Sequence, residues 1–367
     1  MRYKLGEVAK IRYGKDHKKL DDGNIPVYGS GGIMRYVDTA LYDKKSVLIP
    51  RKGSLGNLFF ANKPFWTVDT LFYTEIDENI LMPEFLFYKL KMFNLASMNV
   101  GSAVPSLTTA ILNALELDIP SFEVQSQIVN ILKAFDERIS LNKQINHHLE
   151  QIGQELFEQV YYNGSPAQLG DIISTLESGS RPKGGAEIGG IPSIGAENIE
   201  RFGQYDYTKE KFISLEYFKK LNRGVVHSGD VLLYKDGAYT GKVSMALDNF
   251  PHAQCAINEH VFILRPSKRA PSSFFLYFLL LYDENRQALF SRASSKAAQP
   301  GLNQTEVKTL SILLPTTEEI IKFDNTIAPI MHQIAKNANE NRKLSTLRDT
   351  LLPKLLSGEI PVNQAAK

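Results

Sequence analysis

An α+β fold is what the sequence predicts: two similar α+β globules separated by an antiparallel coiled coil of two long helices, with an internal pseudo-twofold repeat. Three observations carry it. The chain repeats itself, the best-matched part of the repeat has heptad spacing, and the rest mixes short β-branched runs with Gly-rich turns.

The repeat comes first. Val104-Pro105-Ser106-Leu107 aligns with Gln299-Pro300-Gly301-Leu302 at an offset of 195, and the same offset carries Leu115-Glu116-Leu117-Asp118-Ile119-Pro120 onto Leu310-Ser311-Ile312-Leu313-Leu314-Pro315. It also carries Ile139 onto Ile334, Asn142 onto Asn337, Asn146 onto Asn341 and Leu149 onto Leu344. A gapless register over that length indicates long regular elements. Upstream the offsets shrink. Phe85-Leu86-Phe87-Tyr88 falls on Phe274-Phe275-Leu276-Tyr277, Val47-Leu48-Ile49 with Gly53 on Val231-Leu232-Leu233 with Gly237, Ile25-Pro26 on Ile191-Pro192, and Leu5-Gly6 on Leu169-Gly170. Each copy is thus a variable globule followed by a constant tail.

The tails read as helices. In the second copy Ile320, Phe323, Ile327, Ile330, Ile334, Asn337, Asn341 and Leu344 alternate steps of three and four, the seam of a coiled coil, and Leu347, Leu351 and Leu355 continue it after a slip. The first copy places Ile128, Leu132, Phe135, Ile139, Asn142, Asn146, Leu149, Ile152 and Leu156 on the matching seam. Pro120-Ser121 with Glu123, and Pro315-Thr316 with Glu318-Glu319, are start signals; Gly164 and Gly358 end the helices. At ~1.5 Å per residue, about 40 residues make a rod of roughly 55–60 Å. Such greasy seams pair, and the intervening globule lets the second helix return antiparallel. Asn142, Asn146, Asn337 and Asn341 either fix the register of the pair or mark where the seam opens to solvent. The resulting segments are 1–120, first globule; 121–162, first long helix; 163–315, second globule; 316–360, second long helix; and 361–367, tail. Each globule carries strands, such as 46–49 and 230–233, and one apolar helix, 83–93 or 272–282.

Composition narrows the class of function. With 43% apolar and 22% charged residues over 367 positions the chain is globular, and one cysteine, Cys255, permits neither an intrachain disulfide nor a Cys-rich zinc site. The longest apolar run, 274–282, is far short of a membrane span, and the first ten residues lack a signal-peptide core. A soluble cytoplasmic protein is expected. Catalytic patterns fall short. Gly237-Ala238-Tyr239-Thr240-Gly241-Lys242-Val243 has three residues between its glycines where a P-loop has four, and Val243 where Ser or Thr would hold magnesium. In Gly29-Ser30-Gly31-Gly32-Ile33-Met34 the third glycine of a dinucleotide fingerprint is Met34. His147-His148 sits among polar residues of a helix, and Asp16-His17-Lys18 and Asp43-Lys44-Lys45 are short enough to arise by chance. No Asn-Pro-Pro-aromatic motif of amino-methyltransferases is present. Catalytic, cofactor-binding and metal-ligating residues are therefore not expected in this chain.

Local charge says more than the overall +2. Residues 1–52 hold twelve Lys or Arg against six Asp or Glu, whereas 53–120 hold three against seven. Basic residues interleaved with tyrosines suit phosphate and base contacts. The Gly-bounded turns give Arg51, Lys52, Ser54 and Asn57 in one copy and Lys235, Asp236, Tyr239, Thr240 and Lys242 in the other; Lys15, His17, Lys18, Tyr28, Ser30, Arg35, Arg181 and Lys183 follow as secondary DNA-contact candidates.

The order and duplication of Lys52-Gly53-Ser54-Leu55-Gly56, Val104-Pro105-Ser106-Leu107, the 125–139 segment and Leu351-Leu352-Pro353-Lys354-Leu355-Leu356-Ser357-Gly358-Glu359-Ile360 resembles the specificity (S) subunit of type I restriction-modification systems, over essentially the whole chain. A departure is Lys235-Asp236-Gly237 where the first copy has Arg51-Lys52-Gly53, so the two loops would meet DNA differently. The resemblance implies that each globule is a target-recognition domain reading one half of a bipartite double-stranded DNA target, and that the coiled coil sets the spacer. It further implies two docked methyltransferase (modification) subunits, with restriction/translocase subunits joining through them. Adenine-N6 methylation and ATP-dependent cleavage, with S-adenosylmethionine, ATP and magnesium, would belong to those partners and not to this chain. Two other classes compete: a tandem-repeat coiled-coil scaffold that binds only proteins, and a self-contained nuclease built on an Asp-x-Lys site.

Overall fold

A computed structural model describes residues 1–98, 106–295 and 301–362, so Val104, Pro105, Gln299 and Pro300 of the repeat motif lie outside the described residues. The chain divides into two compact units, Met1–Glu137 with Ser345–Lys367, and Arg138–Leu344. Each long helix contributes residues to both units, so the units do not follow chain order.

In the first unit, strands Ala9–Tyr13, Leu71–Ile76, Ser46–Pro50 and Phe59–Ala61 form, in that order, an antiparallel sheet. A second sheet runs Gly32–Val37, Asp22–Gly29, Trp66–Thr67, the last pair parallel. Arg2–Lys4 pairs with Glu116–Asp118, drawing the start of the globule to the residues just before the first long helix. The second unit repeats this topology strand for strand. Its four-stranded sheet is Ile173–Ser178, Val261–Pro266, Val231–Tyr234, Val243–Met245; its three-stranded sheet is Phe212–Ile213, Ile191–Ile194, Ala256–Ile257; and Ser165–Gln168 pairs with Ser311–Leu314.

The central strands explain why both faces of each large sheet are buried. Successive side chains of a strand point to opposite faces. Val47 and Ile49 therefore enter one core with Phe85 and Leu86, while Leu48 enters another with Phe65 and Tyr73. Val231 and Leu233 pack with Phe275 and Leu276, and Leu232 and Tyr234 pack with Ile194 and Ile257. The apolar helices are Pro83–Lys91, with Pro at its first turn, and Ser273–Leu281, capped by the Ser272 hydroxyl. A further helix, Asp283–Ser294, was not foreseen; its polar sequence hides three buried residues, Asn285, Leu289 and Ala293.

The long helices run Phe122–Tyr161 and Thr317–Ser357. In the first unit Ile128 and Leu132 share a core with Leu352, Leu355 and Leu356, and Arg348 pairs with Asp136 at 2.5 Å. In the second unit the helices are antiparallel: Asn142 meets Asn341 and Asn146 meets Asn337. The seam departs from the expected one beyond Asn146. Ile152 is exposed, whereas Gly153 and Phe157 are buried. The globule's own helix forces the change, since a Cβ on Gly153 would lie 2.3 Å from Phe278 Cζ and 3.1 Å from Ile327 Cδ1. Packing of three helices, not two, rotates the buried stripe. Leu347 is likewise exposed, while Met331, Ala335 and Ala338 join the core.

Candidate nucleic-acid interface

Three loops meet at the same place in both globules, and backbone bonds fix them identically. The Arg51 amide donates to the Thr70 carbonyl (2.8 Å), as Lys235 does to His260 (3.0 Å). Leu107 donates to Arg51 (2.9 Å) and Leu302 to Lys235 (2.8 Å), while Lys52 bridges Ser106 and Asp236 bridges Gly301. Val68 donates to Tyr28 (3.0 Å) and Asn258 to Ile194 (2.9 Å). The first strand of each large sheet ends in a glycine that the neighbouring turn requires: a Cβ on Gly14 would sit 2.1 Å from the Val68 carbonyl oxygen, and one on Gly179 1.8 Å from that of Ile257.

In the first globule these loops enclose a cleft of about 690 Å³ lined by Asp16, His17, Lys18, Ser30, Asp69 and Thr70 among others. Asn57 closes one side by donating to the Ser30 carbonyl (3.0 Å), and Arg51 donates to the Asp69 carbonyl (3.1 Å) while its guanidinium lies 5.2 Å from the Tyr13 ring. Lys15, Lys18, Lys52 and Ser54 are exposed, and none of these lysines has a carboxylate partner among the described residues. His17 Nδ1 is buried without a hydrogen-bond partner among them. Two candidates point elsewhere. Tyr28 packs edge-on to Phe65 and tilted against Phe59, and burial raises its phenol above the ordinary range. Arg35 is tied to Asp22 (2.8 Å) and the Leu20 carbonyl (3.0 Å). Its hairpin instead exposes Ile33, Met34 and Tyr36.

The second globule has a smaller cleft of about 140 Å³ at the equivalent position, lined by Arg181, Ser193, Lys211 and Asn258 among others. Four of its cations are paired. Arg181 pairs with Glu259 (2.6 Å), Lys211 with Glu197 (2.5 Å), Lys235 with Asp236 (2.7 Å) and Lys242 with Glu200 (3.0 Å). Burial opposes ionisation of Glu197, yet the hydrogen bond from Lys211 holds its carboxyl below the usual range. Lys242 also lies 4.4 Å from the exposed Tyr239 ring, and Lys183 is exposed. Thr240 is turned inward, donating to the Gly237 carbonyl (2.7 Å), so it shapes the turn instead of presenting a contact. Sequence reasoning missed Asp69 and Thr70, which line the first cleft, and Glu259 and His260, which take the same places in the second globule; none carries a motif, and the parallel strand pair positions their turns.

No group of three or more His, Cys, Asp or Glu placed to hold a metal ion occurs among the described residues, and no helix there is long and apolar enough to cross a membrane. His147 and His148 are exposed. Together these features define a tandem pair of like α+β domains built around long helices, with matching loop clefts.

The family model described as the type I restriction modification DNA specificity domain matches residues 1–151 and again 166–348, and the chain belongs to that family. It is 23% identical over 348 residues to the type I restriction enzyme MjaIX specificity subunit of Methanocaldococcus jannaschii, covering 88% of this chain and 79% of that one. Against the HindI specificity subunit of Haemophilus influenzae it is 25% identical over 397 residues, covering 84% and 85%. The crystal structure of the S subunit of a type I restriction-modification system from M. genitalium shares the fold, with a TM-score of 0.62 at 17% identity over 97% of this chain and 95% of that one.

Proposed function

We propose that this chain is the DNA specificity subunit of a type I restriction-modification complex, each globule reading one half of a bipartite target. The observation that carries this reading is the repetition of one cleft, built by the same backbone bonds, in two globules whose cleft-lining side chains differ. A common frame with divergent side chains suits two unrelated half-sites. The long helices act as the spacer that fixes the unread gap, as dimer geometry does in other DNA readers. They also dock two methyltransferase subunits, through which restriction/translocase subunits join. Adenine-N6 methylation and ATP-dependent cleavage, with S-adenosylmethionine, ATP and magnesium, reside on those partners; this chain supplies the address. Cytoplasmic residence follows from that role. The test is selection of random-sequence duplex DNA by the chain assembled with its modification subunits. Two fixed sequence blocks separated by a constant gap are expected; capture of DNA without sequence preference, or of none, would favour a protein-binding scaffold.

A further inference from the structure

The loops of the two globules differ in how their charges are connected. In the second globule a chain of charged contacts links the loops that carry Arg181, His260 and Asp236: Arg181 to Glu259 (2.6 Å), Glu259 to His260 (3.4 Å), His260 Nδ1 to Asp236 (2.9 Å) and Asp236 to Lys235 (2.7 Å). His260 is the keystone, since it alone touches both carboxylates. It is 40% exposed, with Asp236 and Glu259 at 29% and 36%, so the chain lies at the surface. Glu259 Oε2 has no donor among the described residues, although it is buried.

Among the described residues the first globule forms no equivalent chain of ion pairs, although Asp69 keeps a carboxylate in the place of Glu259. By the backbone equivalences above, Asp236, Glu259 and His260 correspond to Lys52, Asp69 and Thr70. Lys52 is exposed, with no carboxylate partner among the described residues.

A carboxylate only accepts hydrogen bonds. In the major groove the only donors that bases present are the exocyclic amino groups, N4 of cytosine and N6 of adenine. The cations and His260 hold both carboxylates in place before DNA arrives, which lowers the ordering cost of binding.

Resting on the specificity-subunit reading, we propose that Asp236 and Glu259, positioned by His260, determine the second half-site by accepting a hydrogen bond from an exocyclic amino group of cytosine or adenine. The first globule has Lys52 and Thr70 in place of Asp236 and His260.

The experiment repeats the DNA selection with complexes carrying Asp236→Asn, Glu259→Gln or His260→Ala. Wild type must first return a two-block motif; if it does not, the specificity reading itself fails. The expected result is an unchanged first block and gap, with discrimination at one cytosine or adenine of the second block reduced at least tenfold. The letter that relaxes identifies the base. Deleting only its amino group, with zebularine for cytosine or purine for adenine, should weaken wild type at least tenfold and leave the relaxed variant nearly unchanged. The unchanged first block shows that each variant is folded and assembled. An unaltered second block in all three variants overturns the proposal, as does loss of the whole second block in the near-isosteric Asp236→Asn and Glu259→Gln, which would make the chain a structural brace.

Discussion

Asn142 donates its side-chain amide to Asn341 across the antiparallel helices at 2.9 Å, and Asn337 donates to Asn146 at 2.8 Å. Pairs that are 199 and 191 residues apart thus meet inside an otherwise apolar seam, where Asn142 Oδ1 is left without a donor among the described residues. Asn146 adds a bond to the Ile334 carbonyl (3.1 Å), and Asn142 a second to Glu340, whose other oxygen accepts from Arg138. Of the two readings open at the sequence level, buried pairing is the one realised here. Asn142→Ala leaves Asn341 without its donor and should lower stability by about 1–2 kcal/mol. The double substitution Asn142→Leu with Asn341→Leu should restore stability while loosening register, because polar seam residues specify alignment at a cost in stability. Urea unfolding of the four-member cycle measures the first effect, and cysteine crosslinking across the seam the second.

Gly153 lies where the first long helix packs directly on Phe278 of the globule's own helix. Gly153→Ala should destabilise the chain by about 1–3 kcal/mol despite the better helix propensity of alanine, because its Cβ would fall 2.3 Å from Phe278 Cζ. Adding Phe278→Leu should recover part of the loss. Thermal unfolding of both variants decides it; an unchanged Gly153→Ala would show that Phe278 shifts freely.

Lys52 stands exposed beside the first cleft with no carboxylate to hold it. As a phosphate contact, Lys52→Ala should weaken DNA binding uniformly across sequences and reduce the salt slope by about one. Titrations at several salt concentrations read both quantities. Unchanged affinity at low salt would remove Lys52 from the interface.

The buried His252 ring bonds Glu210 and stands edge-on to Tyr205 and Tyr207, with the Arg342 guanidinium 4.7 Å from the Tyr207 ring. Burial pushes His252 below its ordinary value near 6.5, although the Glu210 carboxylate opposes the shift. A base with a depressed folded pKa binds fewer protons folded than unfolded. Its contribution to stability is therefore complete above the unfolded value and falls away as the pH drops below it, down to the folded value. Melting curves from pH 7.5 to 5 should show His252→Gln losing less stability than wild type over that window; parallel profiles would contradict this.

The order of the repeat, the two long helices and the cleft loops were legible because each depends on local pattern or on self-similarity. Arg51 and Lys235 were found through their glycines, and the structure gives them matching backbone bonds to Thr70 and His260. What sequence could not show was set by tertiary packing. Ile152 and Gly153 exchange places in the seam because Phe278 approaches from the globule, and Tyr28 turns inward because Phe59 and Phe65 offer it a ring to pack on. Glu259 and His260 escaped notice because a two-residue parallel pairing, Ser193 with Ala256 and Ile194 with Ile257, positions their turn next to the cleft-lining Asn258. No periodicity announces so short an element.

The central claim is that one chain reads two half-sites held at a fixed gap. Its most direct test is co-expression with the modification subunits in a methylation-free host, followed by mapping of adenine methylation across the genome by single-molecule sequencing. A single bipartite motif with a constant gap is predicted, and exchange of residues 163–315 for those of a relative should change one block only. Absence of any motif, with the complex assembled and bound to S-adenosylmethionine, or a motif both of whose blocks change on that exchange, would contradict it.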